Sequence, residues 1–237
     1  MLKAVLFDLD GTVLDTLPDL NACMNEALRQ FGCPPVTMEQ SRAFVGHGGK
    51  QYAVQALPPG RKGEIDAFYA LYKGIHVHWQ NTRTKPFPQE GECLAALRAA
   101  GLKLAVVTNK SQGAADVLAG TLLKEYGFAA VIGNRDGVPV KPDPATTFET
   151  LRILGVSPAE AVFVGDGDTD VQTAKNAGMR CISVLWGYRS KEQLVAAGAE
   201  TFAENFLQLR DLLLGGGHAE RTSCKARVIP YRTRKGF

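Results

Sequence analysis

Five cysteines in 237 residues, Cys23, Cys33, Cys93, Cys181 and Cys224, are odd in number, far apart, and form neither a CxxC pair nor a Cys/His cluster. That absence argues against a disulfide framework and a zinc site of ordinary ligand spacing, and it points to free thiols in a reducing compartment. No apolar run approaches the roughly 18 residues of a membrane span. No charged-then-apolar leader precedes the strand pattern that begins at Ala4, so a cytoplasmic protein without a membrane partner is expected. Internal repeats are lacking too. Strong net charge is missing: the chain sums to +3, and the imbalance is local. Residues 218–237 hold Arg221, Lys225, Arg227, Arg232, Arg234 and Lys235 against Glu220, a balance of +5 that leaves −2 for the rest. This basic stretch follows Gly215-Gly216-Gly217 without strong apolar periodicity, so residues 215–237 read as a flexible appendage. A lone basic tail is weak ground for a nucleic-acid partner.

With 45% hydrophobic residues, the chain is long enough for a sizeable core in one large domain or two unequal ones. Apolar, β-branched runs recur at 4–7, 104–107, 129–132, 161–164 and 181–184. Nearly continuous hydrophobicity is the mark of strands buried on both faces of a parallel sheet. Helical periodicity lies between them at 91–100, 145–154 and 171–177, each segment followed by a glycine that can end a helix. Strand and helix in alternation predict an α/β fold with a doubly wound parallel sheet. Residues 16–85 lack that alternation and carry helix-like patterns at 17–31, 39–45 and 64–79. They are expected to form an inserted α-helical cap domain over a core made of 1–15 and 86–214, above the strand ends where such sheets bind ligands.

Asp8 and Asp10 stand two positions apart where the first apolar run breaks and the chain turns at Gly11. On an extended backbone both carboxylates would project the same way. Like charges side by side need a cation or a retained proton, which makes the pair a divalent-metal site or a nucleophile beside a general acid/base. Three further features occupy other strand ends. Thr108-Asn109-Lys110 offers a hydroxyl and amides to phosphate oxygens. Lys141-Pro142 puts an ammonium in a stiffened loop. Gly165-Asp166-Gly167-Asp168-Thr169-Asp170 gathers three carboxylates, and oxygen ligands of this kind suit Mg²⁺. A calcium loop starting at Asp166 fails, because Val171 and Ala177 stand where glycine and glutamate are required.

In that order, Asp8-Leu9-Asp10-Gly11-Thr12, Thr108-Asn109, Lys141-Pro142 and Gly165-Asp166 with Asp170 resemble the four motifs of the haloacid dehalogenase-like hydrolase superfamily. The match spans residues 1 to about 210, and similarity is closest to the phosphoglycolate phosphatase group. The resemblance implies that Asp8 is the nucleophile of an aspartyl-phosphate mechanism and Asp10 the general acid/base. It implies Mg²⁺ held by Asp8, the backbone carbonyl of Asp10 and Asp166, with Asp170 in the outer shell. Thr108 and Lys141 would hold the phosphoryl oxygens, and Asn109 belongs to the same substrate-binding motif. Thr12 favours a phosphatase over the sugar phosphomutases, which often have Val there. Asp10 argues against a dehalogenase or phosphonate hydrolase. Asp168, where many relatives carry neither this carboxylate nor Gly167 before it, reads as a solvated residue at a helix start.

The substrate so implied is a small phosphate ester, 2-phosphoglycolate first. Other esters, pyrophosphate, phosphomutase chemistry and a non-catalytic anion-binding role stay as alternatives, and the assembly is expected to be a monomer or homodimer. A substrate carboxylate calls for a cation or amide donors from the cap. Arg42, on a helix before the glycine-rich turn at 46–49, is the candidate, against a plain solvated arginine. His47 reads as a bystander and His76 and His78 as structural, while Trp186 and Tyr188 are expected to pack beneath the cap.

Overall fold

A computed structural model describes residues 1–215. The basic stretch at 216–237, with the expectation attached to it, lies outside the described residues. Strand β1 (Ala4–Phe7) leads through a tight loop to the short β2 (Leu14–Asp15). Four helices follow, α1 (Leu17–Gln30), α2 (Met38–Phe44), α3 (Gly49–Ala56) and α4 (Ile65–Val77), and β3 (Lys85–Pro86) returns the chain. Then come α5 (Glu90–Ala99), β4 (Lys103–Ser111), α6 (Gln112–Gly120), β5 (Ala130–Asn134) and α7 (Ala145–Leu154). The last elements are β6 (Ala161–Gly165), α8 (Asp168–Asn176), β7 (Arg180–Val184), α9 (Lys191–Ala197), β8 (Phe202–Ala203) and α10 (Phe206–Leu214). No helix of the described residues is long and apolar enough to cross a membrane.

Six strands form one parallel sheet in the order β5-β4-β1-β6-β7-β8, with Val5 opposite Leu104 on one side and Val162 on the other. Alternation explains why these strands are apolar throughout. Val5, Phe7, Val106, Val162 and Val164 face α5 and α10, packing on Leu94, Leu97, Phe206 and Leu209. Ala4, Leu6, Ala105, Val107 and Phe163 face the other way, onto Leu151 and Leu154 of α7 and Ala174 of α8. Helix α7 stops at Gly155, whose φ of 66° is the left-handed turn that favours glycine. The chain builds β4 and β5 on one side of β1 and then crosses to β6 on the other. The ends of β1, β4 and β6 therefore flank the topological switch point, where open α/β sheets bind ligands.

Helices α1 to α4 bury their own cluster, including Leu20, Met24, Leu28, Tyr52, Phe68 and Tyr72. The entry and exit of this helical unit are tied together. Strands β2 and β3 pair antiparallel, Leu14 with Pro86 and Asp15 with Lys85. Buried Asp19 accepts from the Arg83 and Thr84 backbone amides at 2.9 and 2.6 Å, and from the Trp79 indole at 3.1 Å. Two expectations need correcting. Strand β4 does not stop at 107: it runs on to Ser111 with a register irregularity after Val107, which keeps Thr108, Asn109 and Lys110 buried. The helix-like patterns read at 17–31, 39–45 and 64–79 also omit one helix, α3, which opens at the glycine-rich turn.

Candidate active site

Asp8 follows β1 directly, and its amide donates to Val164 O at 2.8 Å, which fixes it at the sheet edge. The strand ends at Phe7, so the strict alternation that would aim Asp8 and Asp10 the same way no longer applies. Both line one cavity, yet each faces its own lysine. Lys141 Nζ lies 2.9 Å from Asp8 Oδ1, and Lys110 Nζ lies 3.0 Å from Asp10 Oδ1. Gly11 makes the intervening turn with φ +86°, and a Cβ there would sit 2.5 Å from Asp166 Oδ2. Only glycine satisfies both the backbone and the space.

Asp166 ends the β6 segment, and both its oxygens are oriented: Thr12 Oγ1 donates to Oδ1 and the Tyr188 amide to Oδ2, each at 2.8 Å. Asp170, in the first turn of α8, is fully buried and accepts from Lys141 Nζ at 2.7 Å and from the Gly167 amide at 2.9 Å. Carboxylate oxygens of Asp8, Asp166 and Asp170 lie within 4.8 Å of one another. Burial, followed by Asp170, raises the Asp166 carboxyl to about 6. Asp8 is pushed up first by burial, against the pull of Lys141, with the neighbouring carboxylates adding to the rise. Asp8 Oδ1 is buried without a hydrogen bond, since Lys141 meets it at ion-pair distance but out of alignment. Three buried carboxylates, two of them sharing one ammonium, with no nitrogen or sulfur donor among them suit a hard, oxygen-preferring divalent cation. Asp10 stands apart from this trio. Burial would raise its carboxyl, but Lys110 and the Thr16 hydroxyl, 2.6 Å from Oδ1, hold it below its ordinary value.

Thr108 is buried in the cavity wall, where among the described residues its Oγ1 accepts only from the Lys110 amide at 3.2 Å, which leaves the hydroxyl proton to donate. Asn109 is already engaged. Its side chain accepts from the Lys141 amide at 2.8 Å and donates to Lys141 O and to Gly46 O at 3.0 and 2.9 Å. It therefore braces the Lys141 loop and the cap turn, where a substrate contact was expected. Arg42 is not brought to the site. It is exposed on α2, with its guanidinium over the Tyr188 ring at 5.9 Å, and it does not line the cavity. The helix directs that side chain away, and the turn at Gly46, Gly48 and Gly49 lines the cavity in its place.

Asp168 is half exposed, lies outside the carboxylate trio, and pairs with His47 Nε2 at 3.2 Å and Arg189 at 3.6 Å. Arg189 also donates to the Arg42 carbonyl at 2.8 Å and to the Val45 carbonyl. His47 thus ties the turn between α2 and α3 to the start of α8. Tyr188 does pack beneath the helical unit, and its hydroxyl accepts from the Thr16 and Leu17 amides at 3.0 Å each, capping the start of α1. Trp186 does not: it packs on Phe206 of the core and donates to Thr12 O at 3.0 Å. Reasoning from sequence missed Lys110, Arg189 and the wall of Tyr52, Tyr69, Tyr72 and His76. For Lys110 the signal was at hand, since it belongs to the same three-residue motif as Thr108.

The profile of the family described as haloacid dehalogenase-like hydrolase matches residues 5–184. The chain is 33% identical over 218 residues to phosphoglycolate phosphatase 1 of Pseudomonas aeruginosa, covering 89% of this chain and 78% of that one. It is 33% identical to a phosphoglycolate phosphatase of Vibrio vulnificus strain YJ016, covering 90% and 96%. A crystal structure from Lactobacillus delbrueckii subsp. bulgaricus, solved as a candidate phosphoglycolate phosphatase, superposes with a TM-score of 0.82 at 32% identity, covering 90% of this chain and 98% of that one. With its switch-point carboxylates and matching sequence, the chain belongs to the haloacid dehalogenase-like hydrolases.

Proposed function

We propose that this phosphomonoester hydrolase cleaves 2-phosphoglycolate to glycolate and phosphate through a phosphorylated Asp8, with Mg²⁺ as its cofactor. The observation that carries the reading is the Asp8–Lys141–Asp170 network beside Asp166, with Asp8 lining a cavity roofed by the helical unit. The division into a core of 1–15 and 86–214 and a cap of 16–85 is part of the same proposal. Asp8, Asp166 and the backbone of Asp10 would hold the cation, with Asp170 behind them. When bound, it offsets negative charge on the phosphoryl group and on the carboxylates.

The residues then divide the work. An Asp8 oxygen forms a bond to phosphorus as the bond to the glycolate oxygen breaks. Asp10, which must first take a proton from solvent, gives it to that leaving oxygen. In the second half, Asp10 takes a proton from water, the water oxygen bonds to phosphorus and the Asp8–phosphorus bond breaks. Lys141 and the Thr108 hydroxyl neutralise and orient the phosphoryl oxygens. Asp10 suits the second half as it stands, because Lys110 and Thr16 favour its ionised form.

The test is phosphate release from 2-phosphoglycolate beside sugar phosphates, nucleotides and pyrophosphate, with Mg²⁺ and with excess chelator. Metal-dependent preference for phosphoglycolate is expected. Preference for another compound would move the substrate and keep the mechanism, whereas activity indifferent to chelator would remove the cation from it.

A further inference from the structure

The cavity runs on from the carboxylates to a far wall of Tyr52, Tyr69, Tyr72 and His76 on the helical unit. Lys110 enters this space from β4. Its side chain is 2% exposed, and among the described residues its ammonium meets one side-chain acceptor, Asp10 Oδ1, which it shares with Thr16. Three N–H groups with one such acceptor leave donors free for a ligand. Lys141 is different, because two carboxylates already engage it. A buried ammonium is costly unless its donors are satisfied, so a second anion is the natural complement of Lys110.

Neighbouring groups narrow the assignment. His76 stacks on Tyr72, with ring centroids 5.3 Å apart, and stays neutral because burial, then Lys110, lowers it to about 3. Lys73, the other cation lining the cavity, is half exposed and faces Asp136 at 3.4 Å. Arg42 lies outside. Lys110 is therefore the buried positive charge lining the cavity, and it stands beside Asp10, the residue proposed to protonate the leaving oxygen.

We infer that Lys110 is a specificity-determining residue that receives a carboxylate carried by the leaving alcohol, selecting small phosphate esters with a second negative group beside the phosphate. This rests on the phosphatase reading above and assigns the carboxylate seat that Arg42 does not supply.

The experiment compares kcat/KM for 2-phosphoglycolate and for ethyl phosphate, with Mg²⁺, in the parent, Lys110→Met and Lys110→Arg. Lys110→Met should reduce the preference for phosphoglycolate by about tenfold or more, chiefly through KM, as expected for loss of a charged hydrogen bond. Lys110→Arg, which keeps the charge, should hold the preference within about threefold of the parent's, a small change on the same scale. An equal fall on both esters in Lys110→Met would mean that Lys110 acts only through Asp10, and it would overturn the inference. So would Lys110→Arg losing as much preference as Lys110→Met. Independently of folding in either variant, the parent should turn over the uncharged amide of phosphoglycolate at least about tenfold less efficiently; equal turnover would contradict the inference. A parent active on neither ester would instead sink the phosphatase reading, an outcome distinguishable because it needs no variant.

Discussion

Two lysine–aspartate pairs sit a few residues apart in the same site, and they are built to opposite ends. Lys141 is 1% exposed and held between Asp8 and Asp170, with its backbone clamped by Asn109. Lys110 is almost as buried but engages Asp10 alone, at the edge of a cavity walled by tyrosines and a histidine. Two carboxylates on one ammonium fix the geometry of all three groups. A single carboxylate leaves attraction to be completed by a ligand. The difference teaches that burial of a charge in this molecule says little by itself; the number of carboxylates around each lysine separates a cation fixed in place to orient a phosphoryl group from one with donors left for a further ligand.

The comparison breaks most severely at the nucleophile. Asp8→Asn should lower kcat by about 10⁴-fold or more, the scale of losing an acting nucleophile, with Mg²⁺ present and the fold unchanged by circular dichroism. At Lys141 the effect should be structural as well as catalytic. Lys141→Met leaves Asp8 and Asp170 buried without their cation and should cost about 3–5 kcal/mol in urea unfolding of the metal-free protein, clearly more than Lys110→Met, which strands one carboxylate instead of two. Equal losses would erase the distinction between the two lysines.

Glu90 sharpens the comparison by removing the cation altogether. It is 1% exposed at the start of α5, neither oxygen makes a hydrogen bond of good geometry, and burial raises its carboxyl to about 7 from an ordinary 4.5. A raised acid binds its proton more tightly in the folded state. Its contribution is therefore fully present below about pH 4.5 and is lost as pH rises through 7. Glu90→Gln should match the parent's unfolding free energy near pH 4.5 and exceed it by pH 8, with about 3 kcal/mol as the upper scale. A constant difference across that range would contradict the burial argument. The smallest effect is expected at Arg42. Arg42→Ala should leave kcat/KM for phosphoglycolate within about twofold, as expected of an exposed side chain outside the cavity.

Much of this was legible in the residues. Continuous apolar strands gave away the parallel sheet, since both faces of β1, β4 and β6 are covered by helices. Asp8, Thr108 and Asp166 were legible because each follows an apolar run or stands just beyond it, and Lys141 and Asp170 through the motifs they belong to; the structure gathers all five at the switch point. Two-residue strands such as β2, β3 and β8 carry no periodicity, and their pairing is set by the chain around them. Direction was harder still. The divergence of Asp8 from Asp10 depends on where β1 ends, and the engagement of Asn109 depends on loops far away in sequence. Arg42 misled because a cation near a glycine-rich turn says nothing about which side of its helix faces the cavity.

The most direct measurement is acid quenching of the parent and Asp8→Asn within the first turnover on 2-phosphoglycolate with Mg²⁺, followed by mass spectrometry of the peptide carrying residues 4–12. A phosphoryl group on Asp8 in the parent, and none in the variant, is the result this site predicts. Rapid phosphate release with that peptide unmodified throughout, or release undiminished in Asp8→Asn, would contradict it.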